Sequence, residues 1–189
     1  MASVGRGSRQ KGAAFELKMS KKISKWWGGT FSRTPGSGSL HWGNDQRVAG
    51  DIVPPQGMDF PFVIECKKHE GFTIENVMLN TGEPSSWWQQ VITDSRRVGK
   101  VPMLIFSRNR AKVFVMIPYD EKLYSLLSKI GTAVMRTTVD TKNIRDEVQK
   151  FDVLITTYDV ITQVPIPKLK SYAKNVDWDP YKEEYITEG

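Results

Sequence analysis

Apolar residues change their period several times along the 189-residue chain. In "AAFELKMSKKISKWW", Ala14, Leu17, Ile23 and Trp27 share one face of a predicted helix, which Gly28–Gly29 ends. "TFSRT" reads as a short strand and "PGSGSLHWGNDQRVAG" as a loop rich in Gly, Ser and Asn. "DIV" and "FPFVIECKK" are strands separated by the turn "PPQGMD". "EPSSWWQQVITDSRRVG" is a helix, with Ser85 or Ser86 as N-cap and Gly99 beyond its end. The strands "VPMLIFS" and "KVFVMIP" follow, joined by "RNRA". "DEKLYSLLSKIG" is a short helix, and "TAVMRTTV", "FDVLITTY" and "VITQVPI" are further strands. The order α-β-β-β-α-β-β over residues 12–118 predicts an α/β fold, a mixed sheet flanked by helices.

One of these strands breaks the apolar pattern. In "FVIECKK", Val63, Glu65 and Lys67 share one face, while Ile64, Cys66 and Lys68 share the other. The second face suits packing on a helix, where Cys66 serves as a small buried hydrophobe. The first aims a carboxylate and an ammonium to the same side. Asp51 opens the neighbouring strand, so two carboxylates and a lysine can meet at the sheet edge. Mg2+ takes hard oxygen ligands, typically one or two carboxylates plus water and phosphate oxygens, and the Cys66 carbonyl offers one more. Without a cation, close carboxylates repel and one holds its proton. The plainer alternative is a surface ion pair between Glu65 and Lys67 on an edge strand.

Charge narrows the class of partner. The net charge is +6. Residues 1–50 carry nine Lys/Arg against Glu16 and Asp45, whereas residues 171–189 carry two lysines against five acidic residues. A basic N-terminal third points to a polyanion such as nucleic acid, or else is a solvated basic face. "MASVGRGSRQKG" (residues 1–12) reads as a flexible basic arm. Residues 13–118 form the expected core. For residues 119–189 three roles stay open: extending the sheet, forming a dimer contact, or covering the core. One cysteine, Cys66, excludes an intrachain disulfide. No apolar run approaches membrane-spanning length and no secretory signal opens the chain, so an intracellular protein is expected. G-x-x-x-x-G-K-[ST] is absent, so no nucleotide cofactor is expected. Two histidines and one cysteine do not make a zinc site.

Asp51, the fourteen-residue interval and Glu65-Cys66-Lys67 together resemble the PD-(D/E)xK nucleases. Within that superfamily the chain is similar to the archaeal-type Holliday junction resolvases. "RQKGAAFELKMSKKI" matches their basic segment and glutamate-bearing helix, "RTPGSGS" their serine loop, and "RRVGKVPMLIF" the later helix and strand. The resemblance covers residues 6 to about 118 and implies a restriction-endonuclease-like core. It implies metal ligation by Asp51 and Glu65, a water-positioning Lys67, a supporting Glu16 and a phosphate-holding Ser37. It also implies a Mg2+-dependent endodeoxyribonuclease, with Mn2+ as a substitute, that resolves four-way junctions in recombination and repair. Two opposed cuts call for two sites, hence a homodimer. "FVIECKK", "KVFVMIP" and "FDVLITTY" offer apolar material for its interface. Arg6, Arg9, Lys11 and Arg33 are expected to grip DNA backbone in the cytoplasm of a cell or of a viral host. Gln89 or Gln90 either holds water or phosphate at the site or is a surface amide, and Trp87 and Trp88 read as core. Other readings are a nuclease of the same superfamily for linear duplex or flap DNA, and a DNA-binding module without catalysis.

Overall fold

The computed structural model describes residues 2–34, 49–68, 83–108 and 112–179. Helix α1 (Ala2–Trp27) leads through β1 (Ser32–Arg33) and β2 (Ile52–Val53) to β3 (Phe62–Lys68). Helix α2 (Glu83–Val98) crosses over to β4 (Val101–Ser107), which is followed by β5 (Val113–Pro118). Helix α3 (Glu121–Ile130), β6 (Val134–Lys142), β7 (Val148–Thr157), α4 (Tyr158–Ile161) and α5 (Ile166–Asn175) complete the chain. The strands form one seven-stranded sheet in the order β1-β2-β3-β4-β5-β7-β6. Among the described strands only the neighbours β3 and β4 pair in parallel, and α2 supplies the crossover that such a pair needs. The mixed sheet between helices is the restriction-endonuclease-like α/β architecture expected from the sequence.

Register fixes which helix covers which face. In β3, Ile64 and Cys66 lie beside Met103 and Ile105 of β4, and Val63 and Glu65 beside Pro102 and Leu104. Lys68, on the face of Ile64 and Cys66, reaches over the Phe15 ring of α1. Phe62, on the same face, stacks with Tyr172 of α5. On the face of Val63 and Glu65, Glu65 meets Asp94 of α2; Trp88 of α2 packs edge-on against Phe151 of β7. The sheet is therefore sandwiched between α1 with α5 and α2. All seven residues of β4 are buried, as the central strand of a two-sided sandwich requires.

The sheet extends past residue 118. Strand β7 lies between β5 and β6, so "FDVLITTY" packs inside the molecule. Val153 and Leu154 of β7, like Ile64 of β3 and Ile117 of β5, are fully buried. The three strands expected to supply a dimer interface are thus spent on the core. Arg96 of α2 and Asp179 clamp the tail by a buried ion pair at 2.7 Å.

Several elements differ from expectation. The buried stripe of α1 is Phe15, Met19 and Ile23, while Ala14 and Leu17 are exposed. The four-residue repeat 15-19-23 sets the helix phase, and its large side chains bury more area than Ala14 could. Residues 2–12, expected as an arm, continue α1. Arg9, Gln10, Lys11 and Ala13 are good helix formers, and extending a packed helix costs far less than nucleating one. Helix α2 begins at Glu83, so Ser85 and Ser86 lie in its first turn. "VITQVPI" is α4 and a turn, capped by Thr157, whose Oγ1 accepts the Val160 N–H. Helix α5 has no counterpart in the sequence reading. No helix among the described residues is long and apolar enough to cross a membrane.

Candidate active site

The site forms where β2 begins to pair with β3. Gly50 bridges to Ile64, and the Asp51 N–H donates to the Ile64 carbonyl at 2.7 Å. Gly50 has a φ of 80°, and a methyl group there would overlap the Ile64 carbonyl. Only glycine brings the two strands this close. On the other side, the Thr34 hydroxyl donates to the Gly50 carbonyl at 2.7 Å, and its N–H donates to the Asp51 carbonyl at 2.9 Å. Main-chain bonds thus hold Asp51 from both flanks.

The Asp51 side chain turns toward β3. Its Oδ2 accepts the Cys66 N–H at 2.7 Å, continuing the ladder with a side chain where β2 offers no main-chain group. The N–H and C=O of one strand residue project to the same edge. The Cys66 carbonyl therefore opens toward Asp51, as a ligand role for it requires. The Cys66 thiol is buried and pushed up, first by burial and then by Asp51, Glu16 and Glu65. Such a thiol is unreactive, in keeping with its expected packing role.

Glu65 is only 1% exposed, and its Oε2 is buried without a hydrogen-bond partner. Its carboxyl is pushed up to about 12, chiefly by burial, then by hydrogen-bond contact with Asp94 and the charge of Asp51. Without a cation, this group holds its proton. Glu16 is half-buried, and its carboxyl is raised by burial and by Asp51. Arg33 Nε, 3.0 Å from Glu16 Oε2, and the nearby Lys67 ammonium oppose that rise.

Structure therefore brings Glu16, Arg33, Asp51, Glu65, Cys66 and Lys67 into one electrostatic neighbourhood. The orphaned Glu65 oxygen beside Asp51 fits a hard divalent cation, which would supply the missing partner and offset the repulsion. Among the described residues, no three His, Cys, Asp or Glu side chains form a ready-made cage. An ion here would keep much of its water, which suits Mg2+. Arg33 is engaged with Glu16, although its side chain remains 39% exposed. Ser37 lies outside the described residues, as do the side chains of Arg6, Arg9 and Lys11.

Gln89 does not join the carboxylates. Its Oε1 accepts the Lys142 N–H at 2.6 Å and its Nε2 donates to the Lys142 carbonyl, so the amide fastens α2 to the end of β6. A primary amide matches both groups of an edge residue, and that fit decides its role here. Trp87 and Trp88 are buried, as expected. The carboxylate that sequence reasoning missed is Asp94. The signal was present, because Asp94 lies on the flank of the buried Trp88–Val91–Ile92–Ser95 stripe of α2. Nothing in the sequence registers α2 against β3.

Neither the curated proteins nor the solved structures contain a match to the chain. A family model described as "Phage putative PDDEXK endonuclease" matches residues 7–171, from α1 into α5, and takes in every carboxylate of the site. The match runs well past residue 118, so β6 and β7 are part of the family pattern. With Asp51 and the E-x-K of β3 brought together where β2 meets β3, the chain belongs to this PD-(D/E)xK endonuclease family.

Proposed function

We propose that this nuclease is a metal-dependent endodeoxyribonuclease acting on branched DNA, above all on four-way junctions. The observation that carries the metal dependence is the meeting of Asp51 with a buried Glu65 whose Oε2 has no partner. Asp51, Glu65 and the Cys66 carbonyl would hold Mg2+ or Mn2+, with Glu16 close enough to contact it through water. Such an ion, when bound, offsets charge on a phosphate and makes its own water more acidic. Lys67 follows Glu65 on the same face of β3. Its ammonium would orient the attacking water and counter phosphate charge. Glu16 keeps Arg33 at the rim by their ion pair, where the guanidinium can reach a neighbouring phosphate.

The junction substrate rests on the similarity of "RQKGAAFELKMSKKI" and "RTPGSGS" to the archaeal-type resolvases. Paired cuts would require a homodimer, because the described residues of one chain form one such site. Since β3, β5 and β7 are interior, the interface would come from other surfaces; the outer strand β6 is one. The test is cleavage of a synthetic four-way junction against linear and flap duplexes of the same sequences, with Mg2+ and with EDTA, alongside light scattering. Paired, Mg2+-dependent nicks in the junction by a dimer are expected. Equal cutting of all three DNAs by a monomer overturns the substrate assignment. Cleavage undiminished in EDTA overturns the metal assignment.

A further inference from the structure

Asp94 lies outside the D-x(n)-E-x-K pattern, yet its carboxyl is within hydrogen-bonding reach of Glu65. Two other polar residues of α2, Gln89 and Arg96, face complementary partners. Gln89 holds the main chain of Lys142, and Arg96 holds Asp179. Asp94 faces a like group. An acid set against a buried acid is an arrangement that stability alone opposes. A second observation says what offsets it. Glu65 is almost wholly buried, and its Oε2 is buried with no hydrogen-bond partner. The missing partner is a cation or a proton, and a carboxylate behind Glu65 favours either.

We propose that Asp94 is a positioning residue of the metal site, acting through Glu65. It fixes the Glu65 carboxyl on the α2 side and adds negative charge that draws a divalent cation to the Asp51–Glu65 edge. The described carboxylates form no three-membered cage, so Asp94 belongs behind Glu65 rather than on the ion. The inference rests on the reading of Asp51 and Glu65 as cation ligands. Outer residues that orient a metal ligand typically change affinity or activity 10–100-fold when replaced.

The experiment is Mn2+ binding to the full chain without DNA, by titration calorimetry, for wild type, Asp51→Asn, Asp94→Asn and Asp94→Ala. Asp51→Asn is expected to lose binding. Both Asp94 variants should bind Mn2+ about 10–100-fold more weakly, with metal-free melting temperatures at or above that of wild type. The Mn2+ concentration for half-maximal nicking should rise by the same factor. Wild-type affinity in both Asp94 variants, with binding lost in Asp51→Asn, overturns this inference and leaves the metal site standing. An Asp94→Ala variant that melts well below wild type, with Asp94→Asn restoring both melting and affinity, assigns Asp94 to packing and also overturns it. No Mn2+ binding by wild type, or unchanged binding by Asp51→Asn, overturns the metal-site reading and this inference together.

Discussion

The Asp51 carboxylate accepts the main-chain N–H of Cys66 at 2.7 Å, so the residue that opens β2 is locked to the strand that carries Glu65. This bond pre-orients Asp51 with its second oxygen left for other work. Asp51→Asn removes the charge, and presenting its amide nitrogen to Cys66 would set donor against donor. Cleavage by this variant should fall at least about a thousandfold, since a bound cation contributes several kcal/mol and each 1.4 kcal/mol is about a factor of ten. DNA binding should persist or tighten, because negative charge near phosphate is lost. Single-turnover cleavage and gel-shift assays on the same samples check both halves; full cleavage by Asp51→Asn would sink the assignment.

Glu65 gives a pH prediction of unusual sign for a carboxylate. Its folded value of about 12 lies above the ordinary 4.5. The folded metal-free protein therefore keeps a proton that the unfolded chain releases, and stability falls as pH rises through that window. The slope is at most about 1.4 kcal/mol per pH unit. Glu65→Gln cannot ionise, and its amide can donate to both neighbouring carboxylates. In EDTA, Glu65→Gln should melt several degrees above wild type at pH 8, at about 2–4 °C per kcal/mol for a chain of this size. The gap should close toward pH 4.5, while catalysis is lost at every pH. Equal melting curves at pH 8 would show that Glu65 bears no such strain.

Much of this arrangement was legible in advance because strand parity is rigid. The alternation in "FVIECKK" put Glu65 and Lys67 on one face, and "GDIV" placed a carboxylate at a strand start. Strands β4 and β5 were equally plain, being continuous apolar runs between turn residues. Helix phase was less secure. Leu17 and Phe15 compete as core residues of α1, and only the packed sheet chooses Phe15. Contacts between elements were the hardest. Gln89 and Asp94 lie on the same helix five residues apart, and one reaches the β6 main chain while the other reaches Glu65. Local pattern carries no term for that choice. The tail was illegible for the same reason, since Asp179 acquires its role only when Arg96 arrives 83 residues away in sequence.

That clasp is open to measurement. Arg96 Nε donates to Asp179 Oδ2 at 2.7 Å and its Nη2 to Oδ1 at 3.2 Å, while Nη1 donates to the Lys142 carbonyl. The paired side chains are 2% and 0% exposed. Removing one member leaves an uncompensated buried charge, which costs about 3–5 kcal/mol. Asp179→Ala should therefore lower the melting temperature by about 6–20 °C. Replacing both residues by apolar ones should cost clearly less than the sum of the single changes. Additive losses in that double-mutant cycle would mean the pair does not act as a unit.

The geometry of α1 separates two sets of cations. Glu16 faces Asp51 and Arg33. At about 100° per residue, Lys18, Lys21 and Lys25 lie about 140–180° around the helix from Glu16. All three are exposed, so they form a solvated flank turned away from the site. DNA seated over Asp51 and Glu65 should meet Arg33 and miss these lysines. The slope of log K against log salt reads phosphate contacts directly, at about 0.9 per contact on duplex DNA. Arg33→Gln should lower that slope by about 0.9. The triple change of Lys18, Lys21 and Lys25 to Gln should move it by less than one contact, despite removing three charges. A triple variant that loses two or more contacts, with Arg33→Gln unchanged, would put the DNA on the opposite flank of α1 and detach it from the carboxylates.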